Sequence, residues 1–182
     1  MYERFYGFNV KPFALLPQEE FMFLSRQHST ALALLTYSLH NRAMFCVVCG
    51  DIGTGKTTLL RYLLAQHEPH IEVGMITSTT GRFDYRGLDK IGMQQALVAH
   101  FKRLDTLGKR AVLVIDEAQV LAPEVLEELR LFSNMNAGRT MLLQTILVGQ
   151  LTLRDVLRRR DMRQLAQRVA VDYLLTPLEP DQ

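Results

Sequence analysis

The stretch Gly50-Asp51-Ile52-Gly53-Thr54-Gly55-Lys56-Thr57 has the spacing G-x-x-x-x-G-K-T and is followed by Thr58 and two leucines. Each residue type suits one task in holding a polyphosphate. The glycines let the backbone turn its N–H groups inward around anionic oxygens. A helix starting there adds the partial positive charge of its N-terminus beneath them. Lys56 would reach the outer phosphates, and the Thr57 hydroxyl would offer a hard oxygen to magnesium. Asp51, Ile52, Thr54 and Thr58 complete the candidate binding set with Gly50, Gly53 and Gly55.

A second cluster stands at the end of "AVLVIDEAQ" (111–119), where an apolar run meets two carboxylates. Asp116 would hold Mg²⁺ through its water shell. Glu117, next in line, would polarise a water in front of the γ-phosphate as a general base. A strand-end Asp-Glu alone reads equally well as a solvated turn; a complete cradle upstream favours chemistry. A small-molecule kinase needs an acceptor pocket, and a GTPase needs a base-reading N-K-x-D, which is missing from the sequence. The acidic pair fits an ATPase that uses water as acceptor.

Two further features bear on the same site. Gln150 ends "ILVGQ" and could hydrogen-bond phosphate and attacking water, or simply start a helix. The run "LRRRDMRQLAQRVAV" (157–171) stays open among three readings. Arg163 or Arg168 could stabilise transition-state charge in a neighbouring subunit's nucleotide. The run could be a solvated face, since Asp155 and Asp161 interleave. It could also contact DNA phosphates.

These residues need strands and helices to position them. Ser25 can cap a helix over 27–41, with Ala31, Leu32, Leu34, Leu35 and Leu39 at helical spacing. "AMFCVVC" (43–49) reads as a buried strand, then the cradle, then a helix to Gln66. Strands are expected at 71–77, 111–116, 141–149 and 169–175. Helices are expected at 90–107, with Ala96, Leu97, Phe101 and Leu104 on one face, from Pro123 onward, and near 151–159 and 162–167. Residues 78–89 are rich in turn formers. Apolar strands alternating with helices imply a parallel sheet covered on both faces. Residues 1–24 read as an aromatic arm packing Phe5, Tyr6, Phe8, Phe13 and Phe21 onto the body, and 25–182 as one nucleotide-binding domain.

The 182 residues suffice for one such domain, and 48% hydrophobic with 22% charged is ordinary for a globular chain. A net charge of +2 gives no bulk argument for nucleic acid. No apolar run approaches the ~18 residues of a membrane span, and "MYERFYGF" lacks a signal-peptide core. A cytoplasmic domain is expected. Cys46 and Cys49 form a C-x-x-C, but three residues apart on a strand they face opposite ways, which favours core packing over redox or metal chemistry. The scattered histidines at 28, 40, 67, 70 and 100 give no zinc pattern.

Together these motifs resemble the AAA+ superfamily. "MYERFYGFNVKPF", "FMFLSRQHSTALALLTYSL", "GDIGTGKTTLLRYLL", "VIDEAQVLAPEVLEELRLFSN", "LLQTILVGQ" and "RQLAQRVAVDYLL" are similar to the general secretion pathway A, or ExeA-type, ATPases. More distantly the core resembles transposition ATPases of the TniB/MuB kind. The resemblance implies a cytoplasmic P-loop domain using ATP and Mg²⁺, with sheet order 5-1-4-3-2. It implies a homo-oligomer with an arginine finger in trans, Arg168 first and Arg163 second, and Gln150 as sensor. It also implies work with an inner-membrane secretion or pilus-assembly protein. Two departures stand out. The segment between "MIT" and "AVLVID" is shorter than in relatives by roughly one helix, and no helical lid follows "LTPLEPDQ". A lidless core is expected to hydrolyse ATP weakly. The alternatives are an ATP-dependent DNA-binding protein and a nucleotide-gated scaffold with negligible turnover.

Overall fold

The computed structural model describes residues 5–7, 22–66, 68–77, 90–133, 136–137 and 140–178. Five strands form one sheet: β1 Phe45–Gly50, β2 Ile71–Ile76, β3 Arg110–Ile115, β4 Leu143–Gly149 and β5 Val169–Leu175. Their order is β2-β3-β4-β1-β5 and every pairing is parallel. This is the order that the resemblance implies, read from the other edge. The central strands β1 and β4 are buried at every position. Burial at every position belongs to strands covered on both faces, even where β4 carries Gln144 and Thr145.

Alternation along the strands sorts the core into two halves. Cys46, Val48, Val112, Val114, Ile146 and Val148 face α1 (Arg26–His40) and α2 (Lys56–Ala65), meeting Leu35, Leu39, Leu60 and Leu63. Phe45, Val47, Cys49, Ile115 and Leu147 face the other way. They meet Leu126 and Leu129 of α4 (Pro123–Ser133), Leu153 and Leu157 of α5 (Leu151–Leu157), and Leu165 of α6 (Arg163–Ala166). The remaining helix, α3 (Lys90–Thr106), packs Phe101 and Leu104 near Ala111 and Leu143. Ser25 caps α1, its side chain accepting from the His28 N–H.

Helix and strand ends fall within about two residues of expectation, but three readings need correction. Ala96 is exposed, and Leu97, 38% exposed, lines an open groove with Phe101 and Leu104 beside Val73 and Val112 without closing into the core. The strand expected from 141 starts at Leu143; Thr140–Met141 pairs antiparallel with Asn136–Ala137 instead. The chain reverses direction there, and local pairing precedes the register that begins at Ala111↔Leu143. Phe5 and Tyr6 are not buried: they are 80% and 65% exposed and meet each other edge to face at 4.9 Å. Phe8, Phe13 and Phe21 of the expected arm, the 78–89 connection, and His67 lie outside the described residues. Among the described residues no helix is long and apolar enough to cross a membrane.

Cys46 and Cys49 are buried on opposite faces of β1. Burial raises the Cys46 thiol, partly offset by its bond to the Ser38 hydroxyl. Burial first, and the Asp172 charge second, push Cys49 up to about 11. At pH 8 such a thiol is roughly one part in a thousand thiolate, the form that reacts. Iodoacetamide at pH 8 is therefore expected to leave both cysteines of the folded chain unlabelled for as long as it takes to label both in urea. Fast labelling of the folded chain would reinstate a redox role.

Candidate active site

Parallel strands bring their C-terminal ends to one edge, and the candidate residues gather there. β1 ends at Gly50 beside Leu175, the last residue of β5. A Cβ at Gly50 would lie 2.4 Å from the Leu175 carbonyl oxygen and 2.9 Å from Thr54 Oγ1, so only glycine allows the chain to leave the sheet here. The loop then turns through Gly53 (φ 83°) and Gly55 (φ 81°), left-handed positions that suit glycine. The Thr54 hydroxyl donates to the Asp51 carbonyl at 2.9 Å and ties the loop across itself. Asp51, Ile52 and Gly53 form the exposed rim, while Thr58 is half-buried on α2.

The Lys56 ammonium is buried inside this loop. It donates to the Gly50 carbonyl at 2.9 Å and the Asp51 carbonyl at 2.7 Å. A full positive charge is thereby held in the concavity of a helix N-terminus, a favourable place for an anion.

Next to it, Thr57 Oγ1 donates to Asp116 Oδ2 at 2.6 Å. Asp116 is buried, and its Oδ1 accepts the Glu117 N–H at 2.9 Å. A hydroxyl and a carboxylate converging from α2 and the end of β3 are hard oxygen donors of the kind that magnesium takes. Donor chemistry and glycine-shaped cradle therefore fit a magnesium–polyphosphate. Glu117 itself is left-handed at φ 57°, unusual for a residue with a long side chain. Such strain persists where the surroundings fix it, and it concentrates at sites of function. Here a 3-10 turn, Ala118–Val120, follows at once and pulls the chain back under the site.

A family model described as "AAA domain" matches residues 39–157, which contain the loop, the acidic pair and β4. The chain belongs to the AAA domain family. It is similar to general secretion pathway protein A of Aeromonas hydrophila, at 38% identity over 192 aligned positions. That alignment takes in 98% of this chain but 35% of the relative. Among solved structures, Cdc6p from Pyrobaculum aerophilum matches with a TM-score of 0.66 at 20% identity, over 91% of this chain and 47% of that one. The Aeropyrum pernix ORC2 protein matches with 0.64 at 14% identity, over 91% and 50%. At such identities the likeness is one of fold.

Within this AAA domain, the remaining candidates divide. Gln150 is the N-cap of α5, but its side chain makes no cap bond. Its main chain is what meets the site: the Gln150 N–H donates to Gln119 Oε1 at 3.0 Å, and Gln119 Nε2 donates to Glu117 Oε2 at 2.5 Å. Arg163 and Arg168 are not near the loop. Val169 opens β5 opposite Phe45, five strand steps from Gly50, which is about 16 Å along the sheet. Arg163 is exposed, whereas Arg168 donates to the Arg130 carbonyl and to Ser133 Oγ, each at 3.3 Å. Arg168 is thereby held away from its own chain's phosphate loop. Arg159 pairs with Asp161 at 3.0 Å in the open, as a solvated face would.

Two residues escaped sequence reasoning. Gln119 is one. Its fit is so close that a Cβ on Gly149 would come within 2.7 Å of its Oε1. The other is His28 on α1, whose ring touches the phosphate loop at the Thr54 carbonyl, 3.0 Å away. The only sequence hint was a histidine three residues after a helix-capping serine.

Proposed function

We propose that this AAA domain binds ATP with magnesium and hydrolyses it in a site completed by a second copy of the chain. The observation that carries the reading is the 2.6 Å contact between Thr57 and Asp116, with Lys56 and Glu117 on either side of it. Magnesium held by Thr57 and Asp116 would neutralise charge on the β- and γ-phosphates. Lys56 would turn its ammonium from the loop carbonyls toward the same oxygens. Glu117 Oε2 is engaged by Gln119, which leaves Oε1 to take the proton of a water as its oxygen bonds to phosphorus. The bond to the bridging oxygen then breaks, and ADP leaves with the electron pair.

Arg168 lies at the sheet edge opposite the loop, which supports a guanidinium for the transition state coming from a neighbour. Arg163 already faces outward, while Arg168 would exchange its contacts at the end of α4. The 38% identity to general secretion pathway protein A supports an energy-coupling or assembly role in bacterial secretion, pilus assembly or exopolysaccharide export. In that role the domain works on the cytoplasmic side with an inner-membrane partner.

The test is phosphate release from Mg-ATP as the protein concentration is raised. Specific activity is expected to rise with concentration and to fall at least tenfold in Arg163→Ala or Arg168→Ala. A mixture of Glu117→Gln chains with chains lacking both arginines is expected to recover activity, since mixed pairs contain intact sites. Flat specific activity and no recovery would sink the shared site. ATP-dependent retention of duplex DNA that weakens steeply with salt would move the reading to the DNA-binding alternative.

A further inference from the structure

The geometry points to His28 as a positioning residue that sets the direction of one backbone N–H in the phosphate loop. The inference rests on the nucleotide reading above and adds to it a residue outside both sequence motifs. His28 is buried in the first turn of α1. Its Nε2 lies 3.0 Å from the Thr54 carbonyl, and its Nδ1 lies 2.7 Å from Ser25 Oγ.

Of the two neutral tautomers, one satisfies every partner. A carbonyl only accepts, so Nε2 carries the proton and donates to Thr54. Nδ1 is then the acceptor, and the Ser25 hydroxyl donates to it. The same hydroxyl oxygen takes the His28 N–H at 3.4 Å. Ser25 therefore does more than cap the helix: its hydroxyl meets Nδ1 in the tautomer that the Thr54 carbonyl selects.

The consequence follows from peptide geometry. In a trans peptide the C=O and the following N–H point in opposite directions. No cis bond occurs among the described residues. Drawing the Thr54 carbonyl toward α1 turns the Gly55 N–H away from α1, toward the concave side where α2 begins. Gly55 packs so closely that a Cβ would meet His28 Nε2 at 3.0 Å, so ring and glycine fit one another. A donor already aimed at the ligand costs no reordering on binding, and the gain appears as affinity.

The experiment is calorimetric titration of ADP into the full chain, wild type against His28→Leu and His28→Gln, together with amide hydrogen exchange. His28→Leu is expected to weaken ADP about tenfold, as loss of one buried hydrogen bond would. His28→Gln keeps an N–H donor at nearly the same reach and is expected to bind within about threefold of wild type. In His28→Leu the Gly55 amide should exchange faster while the Leu63 amide inside α2 stays as it was. The inference is overturned if His28→Leu binds ADP within twofold of wild type, if His28→Gln is no better than His28→Leu, or if Gly55 and Leu63 loosen together. Should His28→Leu fail to fold, His28→Gln is compared with His28→Asn, whose amide falls short of Thr54; equal ADP affinities overturn the inference. A wild-type chain that binds no ADP removes the nucleotide reading, and this inference with it.

Discussion

Glu117→Gln is expected to slow phosphate release by at least a hundredfold while leaving ATP bound about as tightly as before. The change is close to isosteric. Gln at 117 keeps a carbonyl oxygen for the Gln119 amide, which now bonds Glu117 Oε2 at 2.5 Å. Its main chain keeps the N–H that Asp116 Oδ1 accepts. Glutamine adopts φ 57° no more easily than glutamate, so the strain is unchanged and the fold should be too. What disappears is the ability to take a proton. Single-turnover phosphate release and equilibrium ATP binding, measured on the same preparation, separate the two effects. Equal loss of both would mean that the substitution damages the cradle. No loss of either would favour a nucleotide-gated scaffold.

Lys56→Ala is expected to act on the other quantity. Its ammonium is the one buried Lys or Arg charge among the described residues, and it lies within 3 Å of two loop carbonyls. Truncation takes the ammonium from both carbonyls, leaving Asp51 with the Thr54 hydroxyl, and removes the charge proposed to meet the outer phosphates. Charge-assisted bonds are the stronger kind, so ADP and ATP affinity should fall roughly a hundredfold. Lys56→Arg should rescue little of it, because a planar guanidinium does not fit a pocket shaped for a point charge. Titration calorimetry reads both variants. An Arg variant that binds like wild type would show that charge alone matters there.

The five strands and the phosphate loop were legible because each is written in contiguous residues, apolar runs and glycines at fixed offsets before Lys56, whereas the strand order came from the resemblance alone. Thr57 and Asp116 come together because β1 and β3 end at the same edge of a parallel sheet, which alternation of strands and helices already required. The misses share a different cause. His28 meets Thr54 across 26 residues of sequence. A lone histidine on an amphipathic helix carries no period that announces a loop above it. Gln119 was visible as a letter of "DEAQ", but its role depends on the bare Cα of Gly149. Ala96 and Leu97 kept helical spacing, yet both stay exposed, and periodicity cannot say how deeply a helix face is covered. Arg168 stands beside the end of α4 through side-chain contacts that no spacing encodes.

The Gln119 side chain has one further consequence. Its neighbours differ in kind: a carboxylate that only accepts on one side and a backbone N–H that only donates on the other. Turned end for end, the amide would set oxygen against oxygen and hydrogen against hydrogen. The link between Glu117 and the first turn of α5 thus has a polarity, like a plug that enters its socket one way round. Glutamate would match one contact and repel at the other, and leucine would match neither. A displacement at the start of α5 must either carry the carboxylate with it or break the connection, so the proposed base is wired to the part of the molecule that leads toward Arg163.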